Sequence, residues 1–149
     1  MATTTFDTLG SAAAATKASG GPISSRIRDA FVYVNDTAKV SEALDAVRRS
    51  RMPAGQAAVV FVVDAQGKYK GFARLSALLR ADPESTIMPS VEGADISVAH
   101  DTDQEAAARQ LQLKDVPLMP VINSKKEMIG VLTFDDAMDI LEVETSDDI

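Results

Sequence analysis

The residues best placed to do chemistry lie in Met128-Ile-Gly-Val-Leu-Thr-Phe-Asp-Asp-Ala-Met-Asp139. An apolar run passes through Gly130 and breaks at Thr133 into a predicted helix that opens on acids. A strand that delivers a helix N-terminus leaves backbone N–H groups pointing outward, where anions are readily held. Thr133 adds a hydroxyl at that point, and Asp135 and Asp136 add two carboxylates. The plainer reading is capping: Thr-x-x-Asp at a helix start is nearly a capping box, which alone would explain both residues.

The same predicted helix carries a second constellation. Asp136, Asp139 and Glu142 are spaced by three, and Asp135, Asp139 and Glu142 by four and three, so either set lies on one face. Like charges so spaced repel by a few tenths of a kcal/mol per pair. A hard cation with oxygen ligands would relieve that repulsion, and Mg²⁺ typically binds through one or two carboxylates plus waters. The candidate metal set is Asp135, Asp136, Asp139, Glu142 and Glu144, weighed against an ordinary solvated acidic face. Asp101, Asp103 and Glu105 open another predicted helix, where the macrodipole favours anions without any ligand.

Several function classes are excluded. The chain has no cysteine and a single histidine, His100, so disulfides, thiolate chemistry and multi-histidine metal sites are ruled out. No Ser-His-Asp set, phosphate-binding P-loop or dinucleotide fingerprint occurs, so no catalytic residue is assigned and the reading is non-enzymatic. No run of about 18 apolar residues exists to span a membrane. The net charge of −7 is unevenly distributed: residues 1–80 carry 11 Lys and Arg against 6 acids, residues 81–149 carry 4 against 16. That acidity disfavours nucleic acid as a partner of the C-terminal half and favours cations or a basic protein surface.

The elements that must position these residues follow from periodicity and turn signals. Residues 1–22 are rich in Ala, Thr, Ser and Gly and read as a flexible tail with neither a signal peptide nor an arginine-rich transit sequence, so the expected location is cytoplasmic. From Ile23 the pattern tightens: a short helix over 24–30, a strand over 31–34, a turn and helix cap at 35–37, and a helix to about Arg51. A strand over 57–63, a hairpin turn at Asp64–Gly67, a strand over 68–74 and a helix over 75–80 complete the first set. The order then recurs: short helix 84–88, strand 96–99, cap at Asp101-Thr102, helix 103–113, strand 118–122, turn 123–126, strand 127–132, and a helix from Thr133 to about Glu144. Val59–Arg80 aligns without a gap on Leu118–Asp139 at an offset of 59, placing Gly71 on Gly130. Each unit of about 55 residues is too small to close its own core, so the two should pack as a pair. The expected fold is α/β, with two βαββα units related by an approximate two-fold: residues 23–82, then 83–149 with the acidic C-terminal helix.

Two tandem units of this kind, the second ending strand-Gly-x-x-Thr-x-x-Asp-helix and the first keeping the strand, the Gly and the helix, resemble a cystathionine-β-synthase (CBS) domain pair, or Bateman module. Asp101-Thr-Asp-Gln-Glu105, Met119-Pro-Val-Ile122, Gly130-Val-Leu-Thr-Phe-Asp-Asp136 and the acidic run Glu142–Ile149 are similar to the cytosolic CBS region of MgtE-type magnesium transporters. That family places a helical domain before the pair and a membrane domain after it. Here a low-complexity tail precedes and the sequence stops at Ile149, so the expectation is either a stand-alone relative or a regulatory fragment, in neither case itself conducting ions.

The resemblance implies an adenine nucleotide (ATP, ADP or AMP), with Asp136 accepting from ribose hydroxyls and Thr133 contacting a phosphate. It implies an adenine wall at Ser97, Val98, Ala99, Met119, Pro120 and Val121, residues that otherwise read as core. It also implies sensing of Mg²⁺ through the acidic helix, and a homodimer. Asp135 and Asp136 would repel phosphate, so a nucleotide needs Mg²⁺ or a basic counterweight, for which Arg74, aligned with Thr133, is the candidate. In the first unit Ala77 stands at the position of Asp136, so a single adenosine site is expected. The alternative is a ligand-free dimerisation or interaction module that docks on a basic partner through its acidic C-terminal face.

Overall fold

Two parallel strand pairs, each needing a helical crossover, define the architecture. The structure is a computed structural model that describes residues 5–7 and 21–147, with side chains described for 21–142. Strand β2 (Ala30–Asn35) crosses through helix α1 (Val40–Arg49) to β3 (Val59–Val63), which turns into antiparallel β4 (Tyr69–Arg74) and helix α2 (Leu75–Arg80). The second unit repeats this with β5 (Val98–Ala99), α3 (Gln104–Lys114), β6 (Leu118–Ile122), β7 (Met128–Thr133) and α4 (Phe134–Asp147). Strand β1 (Thr5–Asp7) lies antiparallel on the outer edge of β2, so the sheets run β1-β2-β3-β4 and β5-β6-β7. The tail expected over 1–22 thus contributes a strand at 5–7; its residues 1–4 and 8–20 lie outside the described residues.

The offset of 59 holds at the level of hydrogen bonds. Val59 pairs with Arg74 and Leu118 with Thr133, and each hairpin carries its irregularity at the equivalent place, between Val62 and Val63 and between Val121 and Ile122. The two hairpins meet about the pseudo-two-fold: Tyr69 N–H donates to Lys126 O at 3.0 Å and Met128 N–H to Gly67 O at 3.0 Å. Strand β3 is apolar at every position because both of its faces are covered, as expected of a parallel strand. Val60 and Val62 join Val32, Val34, Ala43 and Leu78 under the helices of the first unit. Phe61 faces the other way and packs edge-on between Phe31 and Phe72, at 5.8 and 6.3 Å, within the larger core shared with Leu118, Met119 and Val131. Each unit therefore completes its core with the other.

Local differences from expectation have local causes. The segment at 24–30 forms only a 3₁₀ turn, Ile23–Arg26, because Arg28 is drawn into β pairing with Val131. The short helix expected over 84–88 forms only as a 3₁₀ turn displaced to Met88–Ser90, because Val40 and Ser41 donate their N–H groups to Ser85 O and Pro83 O and tie the preceding stretch to the start of α1. Helix α3 is capped by Asp103 rather than Asp101 or Thr102, since the Asp103 carboxylate accepts from Glu105 N–H and Ala106 N–H. No helix among the described residues is long and apolar enough to cross a membrane.

Candidate functional site

At the end of β7, Thr133 is buried and its Oγ1 accepts the Asp136 N–H at 3.1 Å. Phe134 N–H donates to Pro117 O at 3.1 Å, which fixes the start of α4 against the entry to β6. The capping half of the expectation therefore holds for Thr133. The Asp136 carboxylate does not complete a capping box; it turns to the segment that precedes β2.

That segment crosses the free edge of β7. Arg28 N–H donates to Val131 O at 2.8 Å and Val131 N–H returns to Arg28 O at 2.9 Å. The approach is close because residue 130 is glycine: a Cβ there would lie 2.6 Å from Arg28 O. Once the backbone is seated, the Arg28 side chain reaches Asp136 with both ends of its fork, Nε to Oδ2 at 2.8 Å and Nη2 to Oδ1 at 3.1 Å. Such bidentate, charge-assisted pairs are stronger and more directional than single bonds. The carboxylate holds the Arg28 guanidinium more firmly protonated than usual, through that hydrogen bond and against a desolvation cost. Arg26, buried to 9% exposure, donates Nη1 to Asp139 Oδ2 at 2.9 Å and stands 3.9 Å from Asp136 Oδ1. Asp136 and Asp139 of α4 are thus met by two arginines 108 and 113 residues earlier in the chain.

Beside this cluster opens a cleft of 280 Å³ lined by Arg28, Ala30, Gln56, Thr133, Asp135 and Asp136. It shares Gln56 and Asp135 with a larger cleft of 580 Å³, floored by Leu111, Val116, Pro117 and Phe134 and reaching Arg74. A further hollow of 220 Å³ around Arg74, Ser76 and Pro117 continues along the seam. The three form one furrow between the units, with polar groups at both ends.

The expected site residues divide sharply. Thr133, Asp135 and Asp136 converge on the cleft. Arg74 lines the neighbouring cleft, but its guanidinium pairs with Glu92 at 3.2 Å and lies 5.3 Å over the Phe72 ring; the counterweight beside Asp136 is Arg28. The residues expected as an adenine wall lie mostly in packed positions beside these clefts. Val98, Met119 and Val121 are packed in the core, Pro120 is buried in β6, and neither Ser97 nor Ala99 lines these clefts. The reason is register: Val98 pairs with Val121, three residues along β6 from Leu118, which pairs with Thr133. Arg28 and Ala30 line the cleft at the start of α4.

The described members of the acidic set face different ways. Asp136 and Asp139 turn to the arginines, Asp135 faces the clefts, Glu142 is exposed, and the Glu144 side chain lies outside the described residues. Among the described residues no group of three or more His, Asp or Glu is arranged to hold a metal ion. Sequence reasoning missed Arg26, Arg28 and Gln56. The available signal was weak: two arginines spaced by two, just ahead of an apolar strand in the basic half of the chain.

A tandem βαββα pair with a furrow along its seam, ending at a capped helix start, defines a class of paired domain. The CBS-domain family model matches residues 23–84 and 92–143, and the chain belongs to that family. It is similar to the magnesium transporter MgtE of Thermus thermophilus, with 34% identity over 119 residues, 80% of this chain and 26% of that protein. The chain thus spans about a quarter of the length of that relative. Among solved structures it is similar to the cytosolic domain of the Mg²⁺ channel MgtE in complex with ATP, at 29% identity and a TM-score of 0.74, covering 80% of this chain and 48% of that one. A CBS domain pair/ACT domain protein from Thermotoga maritima shares the fold, at 21% identity and a TM-score of 0.73, covering 83% and 98%.

Proposed function

We propose that this CBS pair is a regulatory module that binds an adenine nucleotide together with Mg²⁺ in the furrow between its units, on the cytosolic side of a magnesium-transport system. The observation that carries this reading is the cleft in which Thr133, Asp136 and Arg28 converge at the start of α4. Asp136 has the geometry of a sugar-diol acceptor, and the exposed helix start with Arg28 offers donors to a phosphate. The smaller cleft is tight for a whole nucleotide, so the ligand extends past Gln56 and Asp135 into the larger one, toward Arg74. Asp135 stands on the wall common to both, where Mg²⁺ carried on the phosphates meets a carboxylate. The similarity to an MgtE cytosolic domain in complex with ATP supports this choice of ligand. Mg²⁺ bound by Asp139, Glu142 and Glu144 alone is less well supported, because Arg26 already neutralises Asp139. The exposed Leu79 on α2 and Leu113 on α3 favour pairing of two copies through their helices.

Calorimetric titration with ATP, ADP and AMP, each with and without Mg²⁺, tests the reading. Saturable binding at one site per chain is expected, weakened at least about tenfold in Asp136→Ala, which corresponds to about 1.4 kcal/mol. Absence of binding by all three nucleotides, with and without Mg²⁺, rejects it.

A further inference from the structure

Both oxygens of Asp136 are taken by Arg28. Each oxygen keeps a further lone pair, but a vicinal diol that bridges both oxygens needs the same two-pronged face of the carboxylate that the Arg28 fork occupies, so such a ligand exchanges with the guanidinium. The two arginines are unequally prepared for that exchange. Arg28 is held by its backbone on β7 while its side chain is 48% exposed, so the guanidinium can rotate without the segment moving. Arg26 is 9% exposed, bonded to Asp139, and 3.9 Å from Asp136. If Arg28 swings away, Arg26 remains 3.9 Å from Asp136 as a counter-charge.

We propose that Arg28 is an exchangeable counter-ion: a ligand presenting a vicinal diol displaces it from Asp136, and it turns onto the ligand's own anionic group. The proposal rests on the nucleotide reading above and adds a specificity rule to it. Arg28 and Asp136 line one cleft of 280 Å³, so the released fork stays within reach of whatever the cleft holds. A phosphate offers the fork the same bidentate geometry as a carboxylate, so exchange with a nucleotide conserves the number of charge-assisted bonds. A neutral nucleoside gives Asp136 its diol but leaves Arg28 without a partner. The cleft therefore selects for diol and anion together, and Asp135 on its wall sharpens the demand by disfavouring any anion that Arg28 does not meet.

The full-length chain, its Arg28→Gln variant and its Arg28→Lys variant are titrated calorimetrically with adenosine, AMP and Mg-ATP. In the unmodified chain AMP is expected to bind about 30-fold more tightly than adenosine, the scale of one charged hydrogen-bonded pair. In Arg28→Gln adenosine should tighten and AMP weaken, bringing the two within about threefold. Arg28→Lys, which keeps the charge but loses the fork, should fall between. Nucleotide binding with the same AMP-to-adenosine ratio in Arg28→Gln overturns the exchange and leaves the nucleotide reading intact. Equal affinity for adenosine and AMP in the unmodified chain also overturns it. Failure of all three ligands on every variant overturns both.

Discussion

The two ends of the seam are built on the same backbone and carry opposite side chains. At one, β7 ends in Thr133, α4 carries Asp136, and the crossing segment brings Arg28. At the other, β4 ends in Arg74, α2 carries Ala77, and the crossing segment brings Glu92, whose N–H and O pair with Phe72 as those of Arg28 pair with Val131. Base and acid have exchanged places across the pseudo-two-fold. At the first end the acid sits on the helix, 13% exposed and facing a cleft; at the second, Arg74 and Glu92 form a pair at the surface. The features the backbone needs occur in both units, whereas a carboxylate at this place on the helix occurs in one. Glycine at 71 and 130 belongs to the first kind. A Cβ at 71 would lie 2.5 Å from Glu92 O, just as one at 130 would crowd Arg28 O.

The largest test breaks that shared backbone. Gly130→Val should destabilise by about 3 kcal/mol, because the added side chain must push Ile27 and Arg28 off β7. Gly71→Val should cost more, since φ at Gly71 is +133°, a conformation that side-chain-bearing residues resist. Urea denaturation of the pair checks both magnitude and order; a neutral Gly130→Val would mean that the close crossing is dispensable. A medium effect is expected at the hairpins. Gly67 and its counterpart Lys126 both have positive φ, +83° and +67°, so only the second unit holds a side chain there. Lys126→Gly should stabilise by about 0.5–1 kcal/mol, while Gly67→Lys should destabilise by a similar amount. Thermal melts that moved the same way for both would contradict the assigned geometry.

The smallest effect concerns pH. Asp64 and Asn123 hold equivalent turns: Asp64 Oδ1 accepts from Gln66 and Lys68 N–H, Asn123 Oδ1 from Lys125 and Glu127 N–H. Only Asp64 titrates, and its pKa is lowered, chiefly by the Lys68 backbone hydrogen bond. A folded-state pKa below the unfolded value means the stabilisation is present at neutral pH and lost as pH falls through the lowered value. Amide exchange at Gln66 and Lys68 should therefore lose protection in acid relative to Lys125 and Glu127. Equal loss in both hairpins would place the acid effect elsewhere.

Much of this was legible in order along the chain. Strands β3 and β6, the offset of 59, the hairpin turns, the start of α2 and the approach of Thr133 to a helix all follow from local signals. The two-residue β5 was harder, because half of its predicted length, Ile96 and Ser97, continues as loop rather than ladder. The cap at Asp103 falls one residue past the expected Asp101-Thr102, since three candidate capping residues stand in succession at 101–103 and only geometry chooses among them.

The sequence by itself determined that two βαββα units would share one core, and that the hydroxyl and carboxylate at the start of a helix would occur in only one of them. Only the tertiary structure decided what those residues face. Arg26 and Arg28 meet α4 across more than a hundred residues of chain, through a single edge pairing at Val131 that has no periodicity to betray it. The physical reason is that strand edges are satisfied by whichever backbone arrives, and here glycine at 130 lets a distant segment arrive close enough to bring its charge.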